Sequence, residues 1–196
     1  MTGQSIPGSI TAAEQGASAG ARQHPIPTRL FRGSRPLKRW RYVGVFSDEI
    51  MACAALVRIG PARQSFWALN VRAGFVQRER TRLLPRRSEV ELIHGRAADD
   101  SSEALPGRLR VRDLGVTLDL QLEEGAPIEA LCPHGAAEVW TRKQAGVRAH
   151  GTLALDGGAP RTIEALAVID DTAGHHARET EWWWSAGVGE SPDGVA

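Results

Sequence analysis

The chain has 196 residues, 42% of them hydrophobic and 24% charged, with a formal net charge of +1. That is the length of one domain, with enough apolar content for a core. The near-zero charge removes any global field that would draw the protein to nucleic acid or to an anionic membrane. No apolar run approaches the roughly 20 residues of a membrane helix. Met1 to Gly20 also lacks the apolar centre of a signal peptide, so membrane insertion is not expected and a cytoplasmic protein is. Cys53 and Cys132 stand far apart with no CxxC pair, which argues against a zinc ribbon or a disulfide framework. Cys53 lies in the apolar run Ile50 to Val57 and reads as a small buried thiol.

Residues 1–28 read as a disordered leader of small and polar residues, ending in the helix-incompatible His24-Pro25-Ile26-Pro27. From residue 29 to residue 190 the pattern is strands and turns. Trp40 to Phe46 places Trp40, Tyr42 and Phe46 on one face by period-2 spacing. Ser47-Asp48-Glu49 turns the chain into Ile50 to Ile59, a strand apolar on both faces. Gly60-Pro61 breaks it before Gln64 to Val71 and Phe75 to Leu83. Arg96 to Pro106 is polar and reads as a loop. Leu109 and Val111 alternate with Arg108, Arg110 and Arg112. Gly115 then opens the clearest strand, Val116 to Glu123, with Val116, Leu118, Leu120 and Leu122 on one face. Ile128 to Cys132, Glu138 to Lys143, Val147 to Leu155 and Thr162 to Ile169 follow, the last two joined at Gly157-Gly158. Residues 191–196 read as a flexible tail. Many short strands at intervals of about ten residues point to an all-β sandwich or barrel, and closure would remove exposed strand edges.

The densest group of chemically capable residues is Asp170-Asp171-Thr172-Ala173-Gly174-His175-His176-Ala177-Arg178, followed closely by Trp182-Trp183-Trp184. A carboxylic acid or imidazole against indole walls can have its pKa moved toward neutrality, as general acid–base chemistry needs. Asp171 and His176 are the candidate catalytic pair. Asp170, His175, Arg178, Tyr42, Trp182 and Trp184 are the candidate ligand contacts. Asp-Asp-Thr after a strand is also ordinary turn chemistry, and alternating Trp182 and Trp184 are also ordinary core. No HxH or HxxxH spacing supports a metal site, and no cofactor is expected. Arg78, Arg80 and Arg82 share one strand face with no aromatic between them for base stacking, so that face reads as solvated rather than as a nucleic-acid surface. His150 reads as polar and outward.

Three segments taken together resemble a known family. They are Lys38-Arg39-Trp40-Arg41-Tyr42-Val43-Gly44-Val45-Phe46-Ser47-Asp48-Glu49, Ile59 to Trp67, and Ile169 to Arg178 running into Trp182-Trp183-Trp184-Ser185-Ala186-Gly187-Val188-Gly189. They are similar to the first half of the bacterial domain-of-unknown-function 2804 family, over about Leu30 to Gly189. That family resembles the calycin-like, double-lipocalin group, which includes carotenoid hydratases and tocopherol cyclases. The resemblance implies an antiparallel lipocalin-like (calycin-like) barrel or strongly curved sheet, one half of a double-lipocalin architecture. It also implies that the chain stops before a second half, which a partner copy in a homo-oligomer could replace. Two positions depart from the pattern. The family pattern has Tyr where His175 stands and a polar residue where Trp183 stands.

Three functional expectations follow. The first is binding of a hydrophobic small molecule, a lipid or isoprenoid, in a barrel lumen. The second is an acid-catalysed hydratase or isomerase. In it Asp171 is the proton donor and His176 its partner, while Trp182 and Trp184 stabilise a carbocation through their π faces. The third is a truncated fragment without activity of its own. A one-residue register slip would exchange the faces of Asp170 and Asp171, so the sequence leaves open which points inward.

Overall fold

The computed structural model describes residues 26–72, 76–84, 89–96, 105–135 and 137–177. The leader up to residue 25, Phe75, Arg178, the Trp182–Trp184 run and the tail at 191–196 lie outside the described residues. Twelve strands occur among the described residues: β1 Phe31–Arg32, β2 Arg35–Pro36, β3 Lys38–Phe46, β4 Ile50–Ile59, β5 Ala62–Val71, β6 Val76–Leu83, β7 Val90–Ile93, β8 Gly107–Asp113, β9 Val116–Glu123, β10 Ile128–His134, β11 Ala137–Leu155 and β12 Arg161–Gly174. Among the described residues no helix is long and apolar enough to cross a membrane.

Ten strands form one antiparallel sheet in the order β6-β5-β4-β3-β12-β11-β9-β8-β7, with β10 also paired to β11. The sheet curls until the inward residues of its two wings meet in one core. Period-2 alternation supplies that core. Val43 and Val45 of β3, Trp67 and Leu69 of β5, and Val116, Leu118, Leu120 and Leu122 of β9 are all at most 3% exposed. Burying each large apolar side chain contributes about 1.5–3 kcal/mol. The inside of the curl is therefore packed with side chains, which corrects the expectation of an open ligand-binding lumen.

Two sequence readings change at β11 and β12. The segments Glu138 to Lys143 and Val147 to Leu155 are one strand, interrupted by a register shift between Gln144 and Val147. Gly146 takes a φ of 67° there, a left-handed conformation open to glycine at little cost. The one extra residue reverses the inward parity, so period-2 reading breaks one strand into two. β12 runs on past Ile169 to Gly174. Asp170-Asp171-Thr172, read as a possible turn, is strand paired to Tyr42-Arg41-Trp40 on β3. Strand β7 lies in a stretch the sequence reading left unassigned.

Among the described residues no backbone ladder joins the edge strands β6 and β7; side chains of β6 reach instead to the turn before β7, the end of β8 and two hairpin tips. Alternate β6 residues are half-buried. Arg82 pairs with Glu89 at 2.7 Å and Arg80 with Asp113 at 3.1 Å, where Trp67 Nε1 also donates to Asp113 at 3.2 Å. Arg78 bonds the carbonyl of Leu114 at 2.9 Å and pairs with Asp156 at 2.6 Å. Leu114-Gly115 and Asp156-Gly157 are the tips of two hairpins, with positive φ at both residues of each pair. Such tight turns match the strand twist. The arginine row thus faces across the seam of the curl, partly hydrated but each paired with a carboxylate, which its reading as a plain solvated face did not anticipate. The partners could not be named from sequence because each is contributed by a distant turn or strand.

Candidate functional site

Register decides the geometry. Asp170 lies opposite Tyr42 and Asp171 opposite Arg41. Side chains alternate along a strand, so the two carboxylates point to opposite faces of the sheet.

Asp171 points inward. Its Oδ2 accepts from Arg41 Nη1 at 2.8 Å, and His94 Nδ1 lies 3.8 Å away. Arg41 also binds Glu124, and Arg41 Nη1 lies 2.9 Å from His94 Nδ1. A guanidinium can only donate, so His94 Nδ1 must accept and the imidazole proton sits on Nε2. Glu124 is held further by the backbone N–H of Gly95 at 2.8 Å and by Gln144 Nε2 at 3.2 Å. A Cβ at Gly107 would collide with Glu124 Oε1 at 2.2 Å, so this carboxylate sits where a side chain would otherwise be. Burial pushes the Asp171 carboxyl above its ordinary range, against the pull of Arg41 and His94. Burial, and then Arg41, pushes His94 down.

Asp170 points outward. Its oxygens take up Trp40 Nε1 at 3.3 Å, Thr172 Oγ1 at 3.1 Å, Thr141 Oγ1 at 3.5 Å and Lys143 Nζ at 3.1 Å. Beside this cluster opens a pocket of about 360 Å³ lined by Trp40, Tyr42, Ala55, Val57, Phe66, Lys143 and Asp170. The strand ladders explain why these residues converge. Tyr42 lies opposite Ala55, Ala55 opposite Phe66, and Trp40 opposite Val57. Gly44 leaves room for the Tyr42 ring, whose hydroxyl lies 3.0 Å from where a Cβ would stand. Burial, and then Cys53, drives the Tyr42 phenol upward. Burial likewise raises Cys53, against a hydrogen bond to Tyr42. Both groups therefore stay neutral near pH 7, and the aromatic wall carries no charge. Cys53 and Cys132 are not paired with each other. Cys53 faces this outer layer half-buried instead of sitting in the core.

The proposed catalytic pair is not brought together. His176 rests against Trp40, with ring centroids 5.2 Å apart, and against His134 at 5.4 Å. Trp40 belongs to the outer face, whereas Asp171 is inside with Arg41. The imidazole beside Asp171 is that of His94. His175 Nε2 lies 2.9 Å from the Arg29 carbonyl, away from both carboxylates. Of the expected ligand contacts, Tyr42 and Asp170 line the pocket, and Arg178, Trp182 and Trp184 lie outside the described residues. His150 is outward and half-buried, 3.6 Å from Glu123. Among the described residues no group of three or more His, Cys, Asp or Glu could hold a metal ion. Sequence reading missed Arg41, Glu124, His94, Lys143, Ala55, Val57 and Phe66 as site residues. The short run Val90-Glu91-Leu92-Ile93 of β7, immediately before His94, was the available signal for that residue.

No family model matches the sequence, and no curated protein matches it. Among solved structures, the chain is similar to a candidate AttH protein from Nitrosomonas europaea. The identity is 9% and the TM-score 0.55, and the match covers 83% of this chain. The match covers 59% of that protein's chain. At this identity the likeness speaks to architecture alone. The chain is an all-β protein, built on a strongly curved antiparallel sheet of the lipocalin-like, calycin-like kind.

Proposed function

We propose that the protein binds a small apolar molecule in the pocket on the outer face of its curved sheet. The observation that carries this is the pocket itself: aromatic and aliphatic walls from β3, β4 and β5, with one ammonium–carboxylate pair at its polar end. Concave apolar sites with a few convergent polar groups are the usual form of small-molecule sites. The resemblance of Lys38–Glu49, Ile59–Trp67 and Ile169–Gly189 to the domain-of-unknown-function 2804 family, which is itself similar to the double-lipocalin group, supports the same reading. Its lumen version gives way to an outer-face version, because the inside is filled by the apolar core.

An acid-catalysed reaction at Asp171 and His176 is not favoured. The two lie on opposite faces, and Asp171 is 4% exposed and engaged by Arg41.

The test is a titration of tryptophan fluorescence with a panel of isoprenoid alcohols, sterols and fatty acids, on the native chain and on Val57→Phe. A saturable change in the native chain that weakens at least about tenfold in Val57→Phe, with unfolding unaltered, is expected. Equal responses in the two proteins, or no response from a cooperatively folded native chain, would sink the reading.

A further inference from the structure

We propose that Lys143 captures carbonyl compounds: its amine condenses with the aldehyde of an apolar molecule seated in the outer-face pocket, with Asp170 as counter-ion. The proposal rests on the reading of this pocket as a small-molecule site.

Composition sets Lys143 apart. The chain contains 22 arginines and only two lysines, Lys38 and Lys143, and one of the two lines the pocket. Pairing with a carboxylate does not require lysine. An arginine would bind Asp170 with a two-pronged fork but cannot give up its proton at ordinary pH. A lysine can, and the free amine is a nucleophile toward carbonyl carbon.

The surroundings fit that chemistry. Lys143 Nζ is 3.1 Å from Asp170 Oδ1, and the lysine side chain is 48% exposed, so the amine meets both the pocket and solvent. Asp170 is held in place by Trp40, Thr172 and Thr141, independently of Lys143. It therefore remains positioned while the lysine reacts. Trp40 and Tyr42 present ring systems to the same volume, and π faces favour a neighbouring cation.

The step balances without a co-reactant. The ammonium passes one proton to Asp170, and the freed nitrogen pair forms a bond to the aldehyde carbon. The carbonyl oxygen recovers that proton, takes a second from nitrogen and leaves as water. A protonated imine remains. One ammonium and one aldehyde become one iminium and one water, and once Asp170 has returned its proton the positive charge again lies beside its carboxylate.

The experiment uses the full chain, decanal as probe and cyanoborohydride to trap the imine, with peptide mapping by mass spectrometry. Lys38 is the internal reference and propanal the short-chain control. Decanol, which cannot form an imine, reports on the pocket by tryptophan fluorescence. With decanal, labelling of Lys143 is expected to exceed that of Lys38 by about tenfold or more, the gain expected of a positioned reactant. With propanal the preference is expected to shrink, and Asp170→Asn is expected to slow labelling at Lys143 relative to Lys38. Equal labelling of the two lysines by decanal, together with saturable decanol binding, overturns carbonyl capture and leaves the pocket reading standing. Equal labelling without decanol binding overturns both.

Discussion

The seam between β6 and β7 and the wall formed by β3, β12 and β11 both rely on arginine–carboxylate pairs, in different dielectric settings. At the seam the arginine side chains are partly hydrated, at 24–35% exposed, although Glu89 and Asp113 are largely covered. The Arg78 and Asp156 side chains are 24% and 66% exposed. In the wall, Arg41, Asp171 and Glu124 are 6%, 5% and 2% exposed. Water screens the first set, so it steers the closure of the curl while contributing little energy. The second set has lost its hydration, and each charge there depends on its partner. The same residue types thus fasten an edge in one region and hold a buried, pKa-shifted cluster in the other. Burial, not composition, separates the two roles.

The largest expected effect breaks the wall. Arg41→Met should destabilise the protein by about 3–5 kcal/mol, because Asp171 and Glu124 would be left buried without their shared cation. Denaturant unfolding measures this, and a loss below about 1 kcal/mol would mean that the cluster is hydrated and resembles the seam.

Acid comes next. Burial, reinforced by His134, holds the His176 imidazole down at about 4 from an ordinary 6.5. The unfolded chain therefore binds this proton first. Stability is fully present above pH 6.5 and is lost as pH falls toward 4, by up to roughly 3 kcal/mol. His94, also lowered, acts in the same direction. Asp171 acts oppositely. Its raised carboxyl contributes stability below its ordinary value of 3.8 that is lost as pH rises. Unfolding midpoints from pH 8 to pH 4.5 should therefore fall, and His176→Gln should flatten the slope. An unchanged slope would assign the acid sensitivity elsewhere.

The smallest effect belongs to the seam. Arg82→Gln should cost about 1–2 kcal/mol, less than Arg41→Met because the arginine is 35% exposed, although Glu89 is 9% exposed. That cost should shrink further in 1 M salt, where the screening length is about 3 Å. A cost of Arg41's size would erase the contrast between the two regions.

Much of the architecture was readable in the sequence. β4 and β9 have the bounds that the apolar run Ile50–Ile59 and the alternation Val116–Glu123 indicate. Gly115 and Gly157 mark the two hairpin tips. The bulge at Gly146 was not legible, because one inserted residue shifts the phase that period-2 reasoning depends on. The candidate site was legible in part. Asp170, Asp171 and Tyr42 were singled out, but their partners Lys143, Arg41, His94, Glu124 and Phe66 were not. Those contacts span up to 130 positions of chain, and no local pattern records them.

The sequence by itself determined that the chain alternates, turns and pairs with itself, because side-chain period and turn chemistry are local properties. Tertiary structure decided which of two adjacent aspartates is inside, that the Arg78–Arg82 row faces a seam, and that the open pocket lies outside the curl. All three follow from strand register and sheet curvature. One residue of register exchanges the faces of a strand, and curvature decides which face is filled by the core and which is left to bind.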